Sequence, residues 1–131
     1  MSDHLRVGVV EDSREDFLAL KRILGPQIDV QRWQTGEQAI AALSGQDASE
    51  LAVIFVDGNL PGMHGADLVS RIRESPNGQR ARLAVFSGST DPGAPARAMR
   101  AGADLFVAKG ETLEQFKDAV AQCLGRAQPA G

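Results

Sequence analysis

The chain has 131 residues, 43% hydrophobic and 24% charged, with a formal net charge of −3, which is ordinary for one globular domain with a sizeable core. The mild negative charge disfavours direct nucleic-acid binding because phosphate contacts need a basic face, and no apolar run approaches the roughly 20 residues that span a bilayer. Since the N-terminus lacks signal-peptide features and the one cysteine, Cys123, cannot form an internal disulfide, we expect a cytoplasmic protein without membrane insertion.

The chain begins with a predicted strand, a helix and a second strand. Residues Leu5–Val10 are mostly apolar and rich in valine, which predicts a strand. Ser13 then begins S-R-E-D, a sequence typical of a helix start, and Gly25, followed by proline, ends this helix. Residues Ile28–Trp33 alternate apolar and polar side chains, as an edge strand does. We expect Trp33 to serve packing rather than binding.

The middle of the chain contains a short helix and then the most apolar stretch of the sequence. Thr35 begins a second capping sequence, T-G-E-Q, and Gly45 closes the helix that follows. Six apolar residues, Leu51–Val56, then run directly into Asp57. Such a run, bounded by turn residues, predicts a strand buried on both faces. A carboxylate at its C-terminal end lies where parallel sheets place their ligands.

The rest of the chain predicts three more helices and two more strands. The strands are Leu83–Phe86 and Leu105–Ala108, and the helices are marked by Leu68, Val69 and Ile72, by Asp91–Gly102, and by Leu113, Phe116, Val120 and Leu124. The helix in Asp91–Gly102 is weak, and either Pro92 or Pro95 could begin it. Four arginines are expected to form a solvated face, namely Arg71, Arg73, Arg80 and Arg82. Five strands alternating with five helices predict a parallel sheet with right-handed crossovers.

Polar residues follow four of the five predicted strands: Glu11 and Asp12 the first, Asp57 the third, Ser87 the fourth and Lys109 the fifth. The carboxyl ends of parallel strands share one edge, so we expect a single cleft. Two carboxylates about 4 Å apart repel by on the order of 4 kcal/mol at an effective dielectric near 20, so either one takes a proton or a cation lies among them. An all-oxygen site of one to three carboxylates that retains water suits Mg²⁺ better than Mn²⁺ or Ca²⁺. With an ammonium and a hydroxyl nearby, this is a site for a transferring phosphoryl group, and Asp57 is the candidate nucleophile.

Five short motifs carry a family resemblance: the acidic pair, D-x-x-x-P-G-x-x-G at Asp57–Gly65, S-G at Ser87-Gly88, A-G-A-D at Ala101–Asp104, and the lysine at Lys109. Through them the chain resembles the receiver domain of bacterial two-component response regulators, of the single-domain chemotaxis-receiver type. The resemblance covers nearly the whole chain in the family's order and spacing. It implies an α/β, doubly wound (βα)5 flavodoxin-like three-layer sandwich with a five-stranded parallel sheet in the order 2-1-3-4-5. It also implies one receiver domain over residues 1–131, with a core of about 5–125 and no effector domain.

The resemblance assigns a role to each acidic residue of the cleft. Asp57 would accept a phosphoryl group from a sensor histidine kinase or a histidine phosphotransfer protein in a Mg²⁺-dependent reaction. Asp12 would bind Mg²⁺ directly, Glu11 through water or a hydrogen bond, and Asn59 through its backbone carbonyl. The domain would not be a conventional enzyme, but it would catalyse its own phosphoryl transfer and its own dephosphorylation. Glu11 departs from the family, in which Asp is commoner at this position.

The resemblance also implies a conformational switch. Ser87 would hydrogen-bond one phosphoryl oxygen, and Lys109 would pair with another. Phe106 would change rotamer as Ser87 moves, which would alter a surface formed by the fourth helix, fifth strand and fifth helix. An unspecified downstream protein would bind that surface, and the chain itself would be a monomer or weak dimer. Gly110 follows Lys109 where the family normally has a cis-proline, and a cis bond without proline costs about 2.5–4 kcal/mol.

Three other functions remain open. A phosphoryl relay or sink without conformational output would use the same chemistry. A flavodoxin-like electron carrier would have the same fold, but Glu11 and Asp12 stand where its phosphate-binding loop would be, and they would repel a phosphate. A phosphohydrolase with an aspartate nucleophile usually presents it after the first strand with a second Asp two residues later. The sequence after Asp57 lacks that second Asp.

Overall fold

A five-stranded parallel sheet organises the chain, in the order β2-β1-β3-β4-β5. The computed structural model describes residues 6–45, 51–58, 60, 64–76, 78–88, 91–108 and 113–125, with backbone alone at 113, 116, 123 and 125. The strands are β1 (Arg6–Val10), β2 (Asp29–Trp33), β3 (Val53–Asp57), β4 (Arg82–Ser87) and β5 (Leu105–Ala108). The helices are α1 (Arg14–Leu24), α2 (Gly36–Ser44), α3 (Gly65–Glu74), α4 (Ala94–Ala101) and α5 (Leu113–Gly125). The predicted fold and strand order are confirmed.

The sheet is apolar on both faces because helices cover both of them. On one face α1 and α5 pack against the strands, in a cluster that includes Val7, Val9, Leu20, Leu24, Phe55, Phe86 and Val120. On the other face α2, α3 and α4 pack against the strands, in a cluster that includes Ile54, Val56, Leu43, Leu68, Ile72, Val85 and Ala98. β3 lies at the centre and is buried along its whole length, as its unbroken apolar run predicts. Within the described ranges, no helix combines the length and the apolar character needed to cross a bilayer.

The element boundaries follow the local signals to within one or two residues. β2 begins one residue later than predicted, β3 begins at Val53 rather than Leu51, and β4 is one residue longer at each end. The uncertain start of α4 lies between its two candidates: the helix begins at Ala94, so Pro95 lies in the first turn. Proline is tolerated there because the first N–H groups of a helix have no partner within the helix.

Both predicted capping sequences act at helix starts. The Ser13 hydroxyl accepts a hydrogen bond from the Asp16 backbone N–H at 3.2 Å, and the Thr35 hydroxyl accepts one from Gln38 N–H at 3.1 Å. In the second sequence the Gln38 side-chain oxygen accepts from the Gln34 backbone N–H at 2.9 Å, one residue before the cap. The reciprocal bond of a capping box is therefore formed with the neighbouring residue.

Trp33 packs across the middle of β1, which confirms its predicted role in packing. The side chain is 6% exposed, and a Cβ built on Gly8 would lie 2.5 Å from a carbon of its ring. Only glycine leaves room for the indole at this point. Because Trp33 ends β2, the same residue also brings that strand's last carbonyl to the end of β1, where its oxygen accepts from Glu11 N–H at 3.0 Å.

Arg73, at the end of α3, was expected to be solvated but is only 22% exposed. Its guanidinium donates to four backbone carbonyl oxygens, those of Ala81 at 2.6 Å, Gly102 at 2.9 Å, Gly78 at 3.0 Å and Gln79 at 3.3 Å. It also pairs with Asp104 at 2.9 Å, and the same Asp104 oxygen accepts from the backbone N–H of Leu83 at 2.9 Å. Arg73 thus joins the end of α3, the end of α4 and the approaches to β4 and β5.

Candidate functional site

The carboxyl ends of β1, β3 and β4 lie side by side and present the predicted polar residues. Val10 is in register with Val56, so Glu11 and Asp12 follow β1 beside Asp57, the last residue of β3. Asp57 is in turn in register with Phe86, the residue before Ser87. Glu11, Asp57 and Ser87 are buried, at 7%, 6% and 3% exposure, and Asp12 is exposed.

The three carboxylates form one cluster, in which an oxygen from each of Glu11, Asp12 and Asp57 lies within 4.8 Å of the others. At that separation two unit charges repel by about 3 kcal/mol at an effective dielectric of about 20. A divalent cation among the oxygens removes this repulsion. The donor set is all oxygen and has an exposed side at Asp12, which suits a cation that keeps part of its water, as Mg²⁺ does. The residues therefore fit the metal that the family resemblance implies.

Hydrogen bonds from neighbouring backbone and side-chain groups hold the acidic pair in place. The Ser13 backbone N–H donates to a carboxylate oxygen of Glu11 at 3.2 Å. On the other side of the loop, Arg32 donates to the carbonyl oxygens of Glu11 and Asp12. Sequence reasoning missed Arg32, although its place one residue before the end of β2, the neighbour of β1 in the expected strand order, could have located it beside the pair.

A cavity of about 560 Å³ lies beyond Asp57, between the end of β4 and α4. Its lining includes Gly58, His64, Val85, Ser87, Arg97 and Phe106. Phe106 lies on β5 in register with Val85, two residues before Ser87 on β4. The two residues named as a switch from the sequence, Ser87 and Phe106, therefore share one cavity beneath α4.

An exposed ion pair holds the start of α4 at the wall of this cavity. The Arg97 guanidinium donates to one carboxylate oxygen of Asp91, and the Gly93 backbone N–H donates to the other at 2.9 Å. The hydrogen bond from Arg97 and, second, that from Gly93 hold the pKa of Asp91 below its ordinary value.

A carboxyl NMR titration should therefore give Asp91 a pKa below that of an unpaired aspartate, and Arg97→Gln should raise it towards the ordinary value. Because the pKa is lowered in the folded state, the stabilisation from this pair is complete above the unfolded pKa of Asp and is lost as the pH falls through the lower folded value. Arg100→Gln, which removes a charge elsewhere on α4, should leave the Asp91 titration unchanged. An Asp91 pKa that does not respond to Arg97→Gln would contradict the assignment.

Three residues singled out from the sequence lie outside the described residues: Asn59, Lys109 and Gly110. Ala108, the last residue of β5, is in register with Ser87, and Lys109 is the next residue in the sequence. The backbone carbonyl assigned to Asn59 and the ammonium assigned to Lys109 remain predictions.

Solved structures with the same fold include three response regulators or receiver domains. The phosphorylated cyanobacterial phytochrome response regulator RcpA is 24% identical, with a TM-score of 0.82 over 97% of this chain and 99% of that chain. The receiver domain of a sensor histidine kinase from Pseudomonas aeruginosa, with a magnesium ion coordinated in its active-site cleft, is 20% identical, with a TM-score of 0.76 over 93% and 98%. The chemotaxis response regulator CheY4 of Vibrio cholerae is 20% identical, with a TM-score of 0.77 over 92% and 98%. At these identities the likeness shows the fold.

The family itself is shown by sequence. A comparison with curated proteins finds no match. The family model of the response regulator receiver domain, however, matches residues 7–121, a range that contains every residue of the acidic cluster together with Ser87 and Phe106. The chain belongs to the response regulator receiver domain family.

Proposed function

We propose that this chain accepts a phosphoryl group on Asp57, in a Mg²⁺-dependent reaction, from the phosphohistidine of a sensor histidine kinase or a histidine phosphotransfer protein. The observation that carries the proposal is the convergence of Glu11, Asp12 and Asp57 at the ends of β1 and β3, with their oxygens within 4.8 Å of one another. Membership of the receiver family supports it. The magnesium ion in the cleft of the Pseudomonas aeruginosa receiver domain supports the choice of metal.

Asp57 is the nucleophile in this reaction. One of its carboxylate oxygens bonds to phosphorus as the bond from phosphorus to the donor's imidazole nitrogen breaks, and the donor leaves as an imidazole. Asp12 and Asp57 would hold Mg²⁺ directly, Glu11 through water or a hydrogen bond, and Asn59 through its backbone carbonyl. When bound, Mg²⁺ supplies positive charge next to the transferring phosphoryl oxygens.

Ser87 and Lys109 complete the site from the neighbouring strand ends. The Ser87 hydroxyl donates to one phosphoryl oxygen, and the Lys109 ammonium pairs with another. The Ser87 side chain moves towards the phosphoryl group and leaves part of the cavity that it shares with Phe106. The Phe106 ring then turns into that space. Because α4 buries only Ala98, it is weakly held against this cavity and can shift with little loss of packing. The altered surface of α4, β5 and α5 then binds a downstream protein.

Phosphoryl labelling from a small donor tests the proposal. Incubation with acetyl phosphate and Mg²⁺ should add one phosphoryl group per chain by intact-protein mass spectrometry. Hydroxylamine should remove the group, because it cleaves acyl phosphates, and a chelator should prevent its addition. A protein that binds Mg²⁺ yet takes no label, either from this donor or from a phosphorylated histidine kinase, would contradict the proposal.

The output half of the proposal has a separate readout in the same samples. Saturation with beryllofluoride, a mimic of the phosphoryl group, should change amide hydrogen exchange in α4 and β5 more than in α1 and α2. If labelling succeeds but exchange in α4 is unchanged, the chain is a phosphoryl relay or sink without conformational output.

A further inference from the structure

Arg32 makes two hydrogen bonds to the backbone of the acidic pair. Its Nε donates to the carbonyl oxygen of Glu11 at 3.1 Å, and its Nη2 donates to the carbonyl oxygen of Asp12 at 3.2 Å. A guanidinium is planar and presents its N–H groups in a fixed fork, so one side chain can bond two successive carbonyls at once. A lysine ammonium at the same place is a point charge and does not reproduce this geometry.

A third contact fixes the guanidinium itself. Its central carbon lies 5.0 Å from the centroid of the Phe17 ring on α1, a cation–π contact. Arg32 is half-buried and therefore connects β2, the loop after β1 and the first half of α1. The backbone of Arg32 is fixed in β2 and its guanidinium is fixed by these contacts, so the side chain has lost most of its rotamer freedom. It can therefore fix the position of the backbone carbonyls that it bonds.

The bonds from Arg32 add to those that already hold Glu11. The backbone N–H of Glu11 donates to Trp33 at 3.0 Å, so both backbone polar groups of Glu11 are bonded to β2. At Asp12 the backbone carbonyl accepts the bond from Arg32, and the side chain is exposed. The orientation of these two peptide planes sets the direction of the two Cα–Cβ bonds, and hence where the two carboxylates lie relative to Asp57.

The positive charge of Arg32 would not by itself help the acidic pair to bind a cation. A positive side chain beside the acidic pair repels a bound cation, so as a point charge Arg32 would weaken Mg²⁺ binding. As a positioning group it would strengthen binding, because residues that orient metal ligands commonly contribute a factor of about 10 or more in affinity. The two roles therefore predict changes of opposite sign when the charge is removed.

We propose that Arg32 is a positioning residue that orients Glu11 and Asp12 for the divalent cation by bonding their carbonyl oxygens. The proposal rests on the proposed function, because it assumes that the acidic cluster holds Mg²⁺. Arg32 lies on the edge strand β2, outside the cluster, and the metal affinity of the cluster depends on it.

The test is the Mg²⁺ dissociation constant of Arg32→Met and Arg32→Lys in the absence of any phosphoryl donor. Titration can be followed by calorimetry and by the fluorescence of Trp33, the one tryptophan of the chain. Arg32→Lys should bind Mg²⁺ about tenfold more weakly than the wild type, and Arg32→Met should also bind it more weakly, by a smaller factor because the variant removes a charge that repels the cation. Tighter binding by Arg32→Met with unchanged binding by Arg32→Lys would show a point charge and overturn the proposal.

Arg6→Met is the matched control. Arg6 lies at the amino end of the same strand pair, where it bonds Asp29 on β2 at 3.2 Å, so the variant removes the same charge far from the acidic pair. Its Mg²⁺ affinity should match that of the wild type. If Arg32 only supports the fold, Arg32→Lys will be less stable to urea but will bind Mg²⁺ as the wild type does, which would also overturn the proposal.

Labelling kinetics separate this proposal from the proposed function. Arg32→Lys should need about tenfold more Mg²⁺ for half-maximal labelling by acetyl phosphate, yet reach the wild-type rate at saturating Mg²⁺. If the wild type is labelled and the variant needs no more Mg²⁺, the proposal for Arg32 fails and the proposed function stands. A wild-type protein that does not bind Mg²⁺ overturns both.

Discussion

Replacing Asp57 with asparagine is expected to lower phosphoryl labelling by at least about a hundredfold, to the level of the donor-free control. The asparagine carboxamide has the shape of the carboxylate but is a poor nucleophile, so no acyl phosphate forms. The measurement is intact-protein mass spectrometry after incubation with acetyl phosphate and Mg²⁺. Labelling that persists in Asp57→Asn would place the phosphoacceptor elsewhere.

The same substitution should make the metal-free protein more stable. Asp57 is buried, and its carboxylate lies within 4.8 Å of two others. Removing one charge removes two repulsions of about 3 kcal/mol each at an effective dielectric of about 20, of which relaxation leaves a net gain of about 1 kcal/mol in the free energy of unfolding. Urea unfolding without Mg²⁺ should show this gain, and the additional stabilisation by Mg²⁺ should be smaller than in the wild type.

Asp67→Asn is the matched control for Asp57→Asn. Asp67 lies in the first turn of α3 and lines the cavity that Gly58, the residue after Asp57, also lines, but it is exposed and outside the acidic cluster. The variant removes the same charge within the same part of the molecule. It should be labelled at the wild-type rate, and loss of labelling in both variants would indicate a general electrostatic effect instead of a missing nucleophile.

Arg73→Ala is expected to lower the free energy of unfolding by about 2–4 kcal/mol, because several backbone carbonyl oxygens lose a charged donor whose side chain is mostly buried. Four backbone carbonyl oxygens lose their donor, and Asp104 loses its cation. Hydrogen bonds to charged groups contribute about 1.5–3 kcal/mol each, and water can replace only some of them at a site where Arg73 is 22% exposed. Equilibrium unfolding in urea measures the loss.

Two further variants show which property of Arg73 matters. Arg71→Ala, on the exposed side of the same helix, should change stability by less than about 0.5 kcal/mol. Arg73→Lys keeps the charge but not the planar fork, so it should recover less than half of the lost stability. A loss below about 1 kcal/mol in Arg73→Ala would mean that water satisfies the carbonyls as well as the guanidinium does.

The architecture could be predicted from the sequence because its signals are local. Leu51–Val56 is apolar without interruption, which requires cover on both faces, and β3 is indeed the central, fully buried strand. The alternating pattern of Ile28–Trp33 likewise indicated an edge, where β2 lies. The strand order itself came from the family resemblance, because a pattern of strands and helices does not say which strand neighbours which.

The contacts of Arg32 and Arg73 were missed in the sequence for a common physical reason. Most of their hydrogen bonds go to backbone carbonyl oxygens, and every residue has one, so the sequence does not indicate which carbonyls they contact. The carboxylate cluster was easier to predict because its members directly follow apolar runs in the sequence, and the carboxyl ends of parallel strands share one edge of the sheet. The boundaries of α4 were uncertain because either proline is compatible with a first turn.

Arg73 also determines how α4 can move. The helix is eight residues long, about 12 Å at 1.5 Å per residue. Its carboxyl end is anchored through Gly102 to Arg73, whereas its amino end is held by the exposed Asp91–Arg97 pair beside the cavity. Such a helix behaves as a lever with its pivot at Gly102: a small rotation produces its largest displacement at the amino end. A downstream protein that binds α4 in the phosphorylated state would therefore meet the largest displacement at Ala94 and the residues next to it.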